Sequence, residues 1–278
     1  MKIQIIKYLI ISVFIIVLTS CNSDNKKLDK QTDTALSYDN FIDIKKSGET
    51  YKIPSPMELF IFLKETKSPF LADKLHNPQK YSDYMTKKTR ALNFGIYTAD
   101  LAYCAVFGDF QKAIFYFNTS QRLADEMGLY EGYGEQIAAR VNNNLSNIDS
   151  LIEISAESYD LINTFLEEQG QADLLGLFLV GGWVEGLYLS VESVKGLDVN
   201  SPVIERIADQ QLLLENLINY LKENSCKIND DLIKDLENIQ QTFDDLYFND
   251  ENTIITQKQF VNISNEVILL RNKYINQV

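Results

Sequence analysis

The 278-residue chain carries 26 basic against 39 acidic side chains, a formal charge of −13. Without Lys2 and Lys7 of the first twenty residues, 24 basic side chains face 39 acidic ones, or −15; so negative a surface repels phosphate backbones and argues against nucleic acid as a partner. Twelve glycines and five prolines beside 45% apolar residues suit long helices with short connections, and leave ample chain for a sizeable core.

The first element is a leader. Lys2 and Lys7 precede an apolar run over residues 8–18, too short to span a bilayer comfortably. It closes on Leu18-Thr19-Ser20-Cys21, which has the form of a lipobox: small residues stand before a cysteine whose thiol can receive diacylglycerol. These features predict a lipoprotein signal peptide over 1–20 and lipidation at Cys21. Several acyl chains would then hold the protein stably on a membrane, where one alone binds only marginally. The expected address is the cell envelope, with the outer membrane favoured, facing the periplasm or the cell surface. Residues 21–50 are polar and read as a flexible tether, of which Tyr38, Phe41, Ile42 and Ile44 could dock on the domain. Within it Asp33-Thr34-Ala35 resembles an acceptor for O-glycosylation at Thr34.

The folded domain is expected over 51–278. Ser55-Pro56-Met57-Glu58 has the spacing of a capping box with proline at the first helical position. A second helix is predicted from Asn77-Pro78 to Gly108, and a third, capped by Asp109, from Phe110 to Gly128. Apolar residues then recur at helical spacing from Ile148 to Phe165. The most apolar helix is placed at about 172–194, another opens at Pro202, and two regular ones follow through Leu232–Leu246 and Phe260–Tyr274. With no convincing strand alternation, the fold class is all-α: an antiparallel bundle of about eight or nine helices. Phe107-Gly108-Asp109-Phe110 has the look of half a tetratricopeptide repeat, but a single copy predicts only a helical hairpin.

Chemistry-bearing residues are few. His76 is the only histidine and falls in an apparent loop, where it reads as a surface or capping residue. Histidine-based zinc and di-iron sites are thereby removed, and no glycine fingerprint for phosphates is present, so neither a metal nor a cofactor is implied. Cys104 and Cys226 could pair in an oxidising compartment, although their surroundings favour a core residue and a loop thiol. Asn93, Tyr97 and Asp100 share one face of a helix that is otherwise apolar. Gly176, Gly181, Gly182 and Gly186 each weaken their own helix by roughly 1 kcal/mol relative to alanine, which suggests close approach to a neighbour or a ligand. Glu185 is that helix's one internal charge, and Trp183 is the only tryptophan. Two arrangements fit. Asn93, Tyr97, Asp100, Trp183, Glu185 and Tyr188 could line one pocket between central helices. Alternatively, and favoured, the two carboxylates are satisfied internally, by an arginine such as Arg90 or Arg140 or by backbone groups.

Tyr51-Lys52-Ile53-Pro54-Ser55-Pro56-Met57-Glu58, the run Ala91-Leu92-Asn93-Phe94-Gly95-Ile96-Tyr97-Thr98-Ala99-Asp100-Leu101-Ala102-Tyr103, and Gly181-Gly182-Trp183-Val184-Glu185-Gly186-Leu187-Tyr188 resemble the motif blocks of a helical lipoprotein family of Bacteroidota-type bacteria. The resemblance covers roughly residues 51–195. It implies the envelope address and an all-helical fold, and transfers no catalytic residue. The function expected is therefore a membrane-anchored, non-enzymatic binding or interaction module, its partner an envelope protein or a small ligand. The alternative is a hydrolase of envelope or extracellular substrates using Asp100 and Glu185 as a carboxylate pair.

Overall fold

In the computed structural model of the protein, the described residues are 41–46, 49–129, 134–171, 173–194, 201–224, 230–250 and 253–277. Cys21, Thr34 and Cys226 lie outside them, as do the leader and most of the expected tether. Residues 39–278 form one compact unit. Ten α-helices are found among the described residues: α1 (Pro56–Glu65), α2 (Lys87–Phe107), α3 (Phe110–Glu126), α4 (Glu135–Asn144), α5 (Ile148–Glu168), α6 (Asp173–Ser193), α7 (Pro202–Ala208), α8 (Gln210–Asn224), α9 (Asp230–Asp244) and α10 (Gln257–Ile275). The fold is an all-α helical bundle.

Most helix ends sit where local chemistry puts them. Thr86 and Thr89 cap α2 reciprocally, and Gly108 ends it at φ +87°, a left-handed conformation that costs glycine nothing. Asp109 accepts the Lys112 N–H at 3.0 Å and starts α3 directly, giving the expected hairpin. The long helix predicted from Asn77 is broken, however. Asn77 caps a single 3₁₀ segment, Pro78–Asp83, and α2 starts only at Thr86, because the Thr86–Thr89 box supplies a stronger start than the chain before it. The helix expected to run on from Pro202 likewise divides at Asp209 into α7 and α8. Ser55 takes the N-cap backbone conformation of α1, but its hydroxyl makes no capping bond.

One correction concerns the tether. Phe41–Lys46 (β1) and Glu49–Pro54 (β2) pair as an antiparallel hairpin, so the folded part extends into residues assigned to the tether. Cross-strand neighbours Asp43–Lys52 and Lys46–Glu49 carry opposite charges. Tyr51 and Ile53 are buried, while Lys52 between them is exposed. Tyr51 meets the Tyr220 ring of α8 edge-on at 5.5 Å and donates to Glu223.

Helix α6 lies at the centre. Every residue from Leu174 to Ser193 is buried, and the helix is apolar on all sides rather than along one stripe, as expected for a helix with neighbours all round. Its length and mean hydropathy of 1.7 would suit a membrane span, but the whole apolar window is enclosed by this protein. The four glycines divide the work of that enclosure. A Cβ on Gly181 would stand 2.0 Å from the Leu92 carbonyl oxygen of α2, and one on Gly95 of α2 would stand 2.1 Å from the Phe178 carbonyl oxygen of α6. The two backbones are thus in direct contact. Gly186 makes room for Pro56 and Leu59 of α1, with a would-be Cβ 3.3 Å from the Pro56 Cβ, and Gly176 accommodates Leu221 of α8.

A Cβ would clash with backbone at Gly95 and Gly181 but find ordinary van der Waals spacing at Gly182, where it would sit 3.4 Å from Pro56 Cγ and 3.7 Å from the Gly95 carbonyl oxygen. Gly181→Leu should therefore destabilise the protein by at least about 3 kcal/mol, and Gly182→Ala by much less. Asn265→Leu, on the exposed side of α10, should change little. Urea unfolding of the three variants checks the order, and equal effects at Gly181 and Asn265 would contradict it.

Candidate functional site

The polar stripe of α2 faces the connection between α1 and α2, of which His76 and Tyr84 are buried, not an empty pocket. That connection is irregular, so its backbone groups need partners that neither helix nor sheet supplies. Side chains of the stripe provide them. Tyr97 donates to the Asn77 carbonyl at 2.9 Å, and Asp100 Oδ2 accepts the His76 N–H at 3.1 Å. Tyr116 of α3 donates to the His76 carbonyl at 2.9 Å. Tyr103 accepts from Leu71 N–H at 3.1 Å and donates to the Pro69 carbonyl at 3.2 Å. Asn93, also on the stripe, donates to the Thr89 carbonyl at 2.9 Å and to the Tyr274 carbonyl of α10 at 3.2 Å.

His76 is 2% exposed, so the surface placement read from the sequence was wrong. Its ring stacks on Tyr97 with centroids 4.8 Å apart. Its Nε2 is 2.7 Å from the Tyr84 hydroxyl, whose own proton goes to the Ile275 carbonyl at 3.1 Å. His76 is therefore the donor in that pair and carries its proton on Nε2. Burial, helped by the positive charges of Arg271 and Lys80, pulls its pKa down to about 3, so the ring is neutral.

The centre of the cluster is an ion pair. Arg271 of α10 grips Glu185 of α6 through two bonds, Nε to Oε2 at 2.9 Å and Nη2 to Oε1 at 3.0 Å. The guanidinium also donates to the Lys74 carbonyl at 3.3 Å and lies 4.5 Å over the Tyr188 ring. Neither Arg90 nor Arg140 takes this role: Arg90 binds the Tyr84 carbonyl and Glu126 instead. Beside the pair, Asp100 is fully buried. Loss of solvation first, and then the negative charge of Glu185, raise its pKa well above the carboxylate range. Arg271 is thus matched by Glu185, and the surroundings of Asp100 favour its protonated form. Two carboxyls, one guanidinium and one neutral imidazole then sum to zero charge, which is what a sealed interior tolerates.

Of the six residues expected around one pocket, the structure brings together Tyr97, Asp100, Glu185 and Tyr188. Asn93 lies one turn along the stripe, on the α10 backbone. Trp183 belongs elsewhere, its indole N–H donating to Gln210 Oε1 at 3.1 Å where α8 begins. Helical spacing explains this, since Trp183 and Glu185 are about 200° apart around α6 and cannot share a wall. Asp100 and Glu185 are both 0% exposed, so no solvent path reaches either carboxyl. Arg271 is the member sequence reasoning missed. A signal existed, because it follows Val267 by four residues on the buried face of α10. Cys104 is a buried free thiol whose pKa burial pushes up, in keeping with a core residue. Among the described residues, no group of three His, Cys, Asp or Glu side chains could hold a metal ion. No family model, curated protein or solved structure matches the chain.

Two measurements test these assignments. Arg271→Met would leave Glu185 buried and unpaired, with a cost of about 3–5 kcal/mol, whereas Asp100→Asn replaces a carboxyl whose neutral form burial favours and should cost far less. The second is pH dependence. His76 is neutral when folded and titrates near 6.5 when unfolded, so its share of stability is present above that value. Between pH 6.5 and 3 it should be lost by about 1.4 kcal/mol per pH unit. Asp100 acts in the opposite direction, since its raised pKa withdraws stability as pH rises above the ordinary carboxylate range. Urea unfolding from pH 4 to 6.5 should show a slope of stability against pH lower for His76→Asn than for the parent protein by about 1.4 kcal/mol per unit, leaving the fall due to Asp100, and identical slopes would refute the neutral buried histidine.

Proposed function

We propose that this chain is an extracytoplasmic lipoprotein, held to a membrane through acylated Cys21, whose helical domain is a non-enzymatic binding or interaction module. The observation that carries the address is the Leu18-Thr19-Ser20-Cys21 box closing a short apolar run behind two lysines. The resemblance of its motif blocks to Bacteroidota-type helical lipoproteins agrees with it. The outer membrane is the favoured location. An envelope protein or a small ligand is the partner class, and the net charge disfavours nucleic acid.

What supports a binding role over hydrolysis is the fate of the two carboxyls. A general acid and base must reach substrate within hydrogen-bond distance. Asp100 and Glu185 instead hold the chain's own backbone and Arg271, and both are sealed from solvent. Function is therefore assigned to the outer surface and its concavities, with the polar cluster as the frame that holds them.

Cys21→Ala should move the protein from the membrane fraction to the soluble one, or leave it as unprocessed precursor. Normal maturation with unchanged membrane retention would overturn the anchor. Intact mass of protein from its native host should also show a glycan addition at Thr34, and an unmodified Thr34 would remove that part of the reading.

A further inference from the structure

Away from the sealed centre, α2, α3, α4 and α5 leave a cavity of about 130 Å³ between them. Its walls include Phe94, Phe117, Ile137, Val141 and Phe165, and no charged side chain is among the described residues that line it. Thr98, Ser120 and Gln121 are its polar members. The Thr98 hydroxyl is already spent on the Gly95 carbonyl at 2.9 Å. The Ser120 hydroxyl is different: the residue is 5% exposed, and its oxygen has no hydrogen-bond partner among the described residues. A buried hydroxyl without a partner is costly and uncommon in a finished interior.

Size, lining and charge narrow the occupant. An apolar cavity of about 150 Å³ stays dry and accepts benzene, so a space of this size suits one ring rather than a long acyl chain. The wall phenylalanines favour an aromatic ring, whose edges and faces they can meet. A charged ligand would have to shed water with no counter-charge among the described residues of the lining, and an anion would also approach a chain of net −13. The unpartnered Ser120 hydroxyl supplies one place for a hydrogen bond. We propose that this cavity is a binding site for a neutral, single-ring aromatic molecule bearing one hydrogen-bonding group, with Ser120 as its polar contact. The proposal rests on the binding-module reading and names its ligand class and location. It is independent of the anchor.

The test is calorimetric titration of the mature protein with p-cresol, toluene and p-toluate. Saturable binding of p-cresol is expected, with toluene weaker and the p-toluate anion not detectable. Ala138→Phe, on the cavity wall, should weaken p-cresol at least tenfold while the helical circular dichroism persists. Ala124→Leu, on the α3 wall, serves the same purpose should the larger substitution disturb folding. Ser120→Ala should weaken p-cresol severalfold and leave toluene unchanged. Absence of saturable binding by both p-cresol and toluene would overturn the site, and so would binding that neither filling variant alters. Equal loss of p-cresol and toluene in Ser120→Ala would overturn the role given to Ser120. Because none of these outcomes depends on Cys21, failure here is distinguishable from failure of membrane retention in the Cys21→Ala experiment.

Discussion

Two backbones in contact set the geometry of this fold. At Gly95 and Gly181 the helices α2 and α6 approach until a methyl group on either would stand about 2 Å from a carbonyl oxygen of the other. Side chains ordinarily hold helix axes 8–10 Å apart. Their removal here brings α6 close enough for its remaining faces to be covered by α1, α8 and α10. The glycines weaken α6 as an isolated helix, but an enclosed helix draws its stability from packing rather than from propensity.

The same closeness explains why a charged residue can sit at the centre. Glu185 follows Gly181 by four residues and so points from the same general side of α6, toward α2 and α10, where Asp100 and Arg271 meet it. Burying these groups gains little stability, and an apolar substitute of equal volume would often serve as well. Their visible effect is on arrangement. Arg271 ties α10 to α6, and its Nη2, already on Glu185, also reaches the Lys74 carbonyl, while Asp100 and Tyr97 hold the next residues of the same connection. Apolar side chains could fill that volume but could not accept an N–H or donate to a carbonyl. The polar stripe is thus a set of backbone partners for chain that has no regular structure of its own.

The sequence was informative wherever a rule acts over a few residues. Asp109, Gly108 and Gly128 mark their helix ends, and the glycine spacing of α6 announced a close neighbour. The hairpin was missed although Ile42, Ile44, Tyr51 and Ile53 alternate with polar residues around Ser47-Gly48, a weak signal inside a segment judged by its overall polarity. The polar stripe was recognised as requiring partners, yet the partners were not legible. Asp100 meets a backbone group 24 positions away, Glu185 an arginine 86 away, and Asn93 a carbonyl 181 away. Spacing along one helix shows which residues share a face. It carries no information about which distant segment will cover that face. His76 illustrates the cost: a loop histidine reads as exposed until the distant side chains that cover its ring are known.

Packing quality also varies across the molecule, and that bears on where binding can occur. On α6 every residue from Leu174 to Ser193 is buried, whereas on α4 Ala138 is the one residue its neighbours bury. The first helix can be altered only at the expense of its contacts on all sides. The second rests on the bundle through a narrow strip, so its loss or displacement exposes little apolar surface, and such elements open locally at lower free energy than a core. The cavity lies where this loosely seated helix meets α2, α3 and α5, next to a phenylalanine, Phe94, whose ring also touches Phe178 of α6 at 4.9 Å. The space is therefore bounded on α2 by a helix packed against the buried centre and on α4 by a helix seated through a narrow strip. A site so built can admit a ligand by a small movement of α4, while the α2–α6 contact that organises the fold stays as it is.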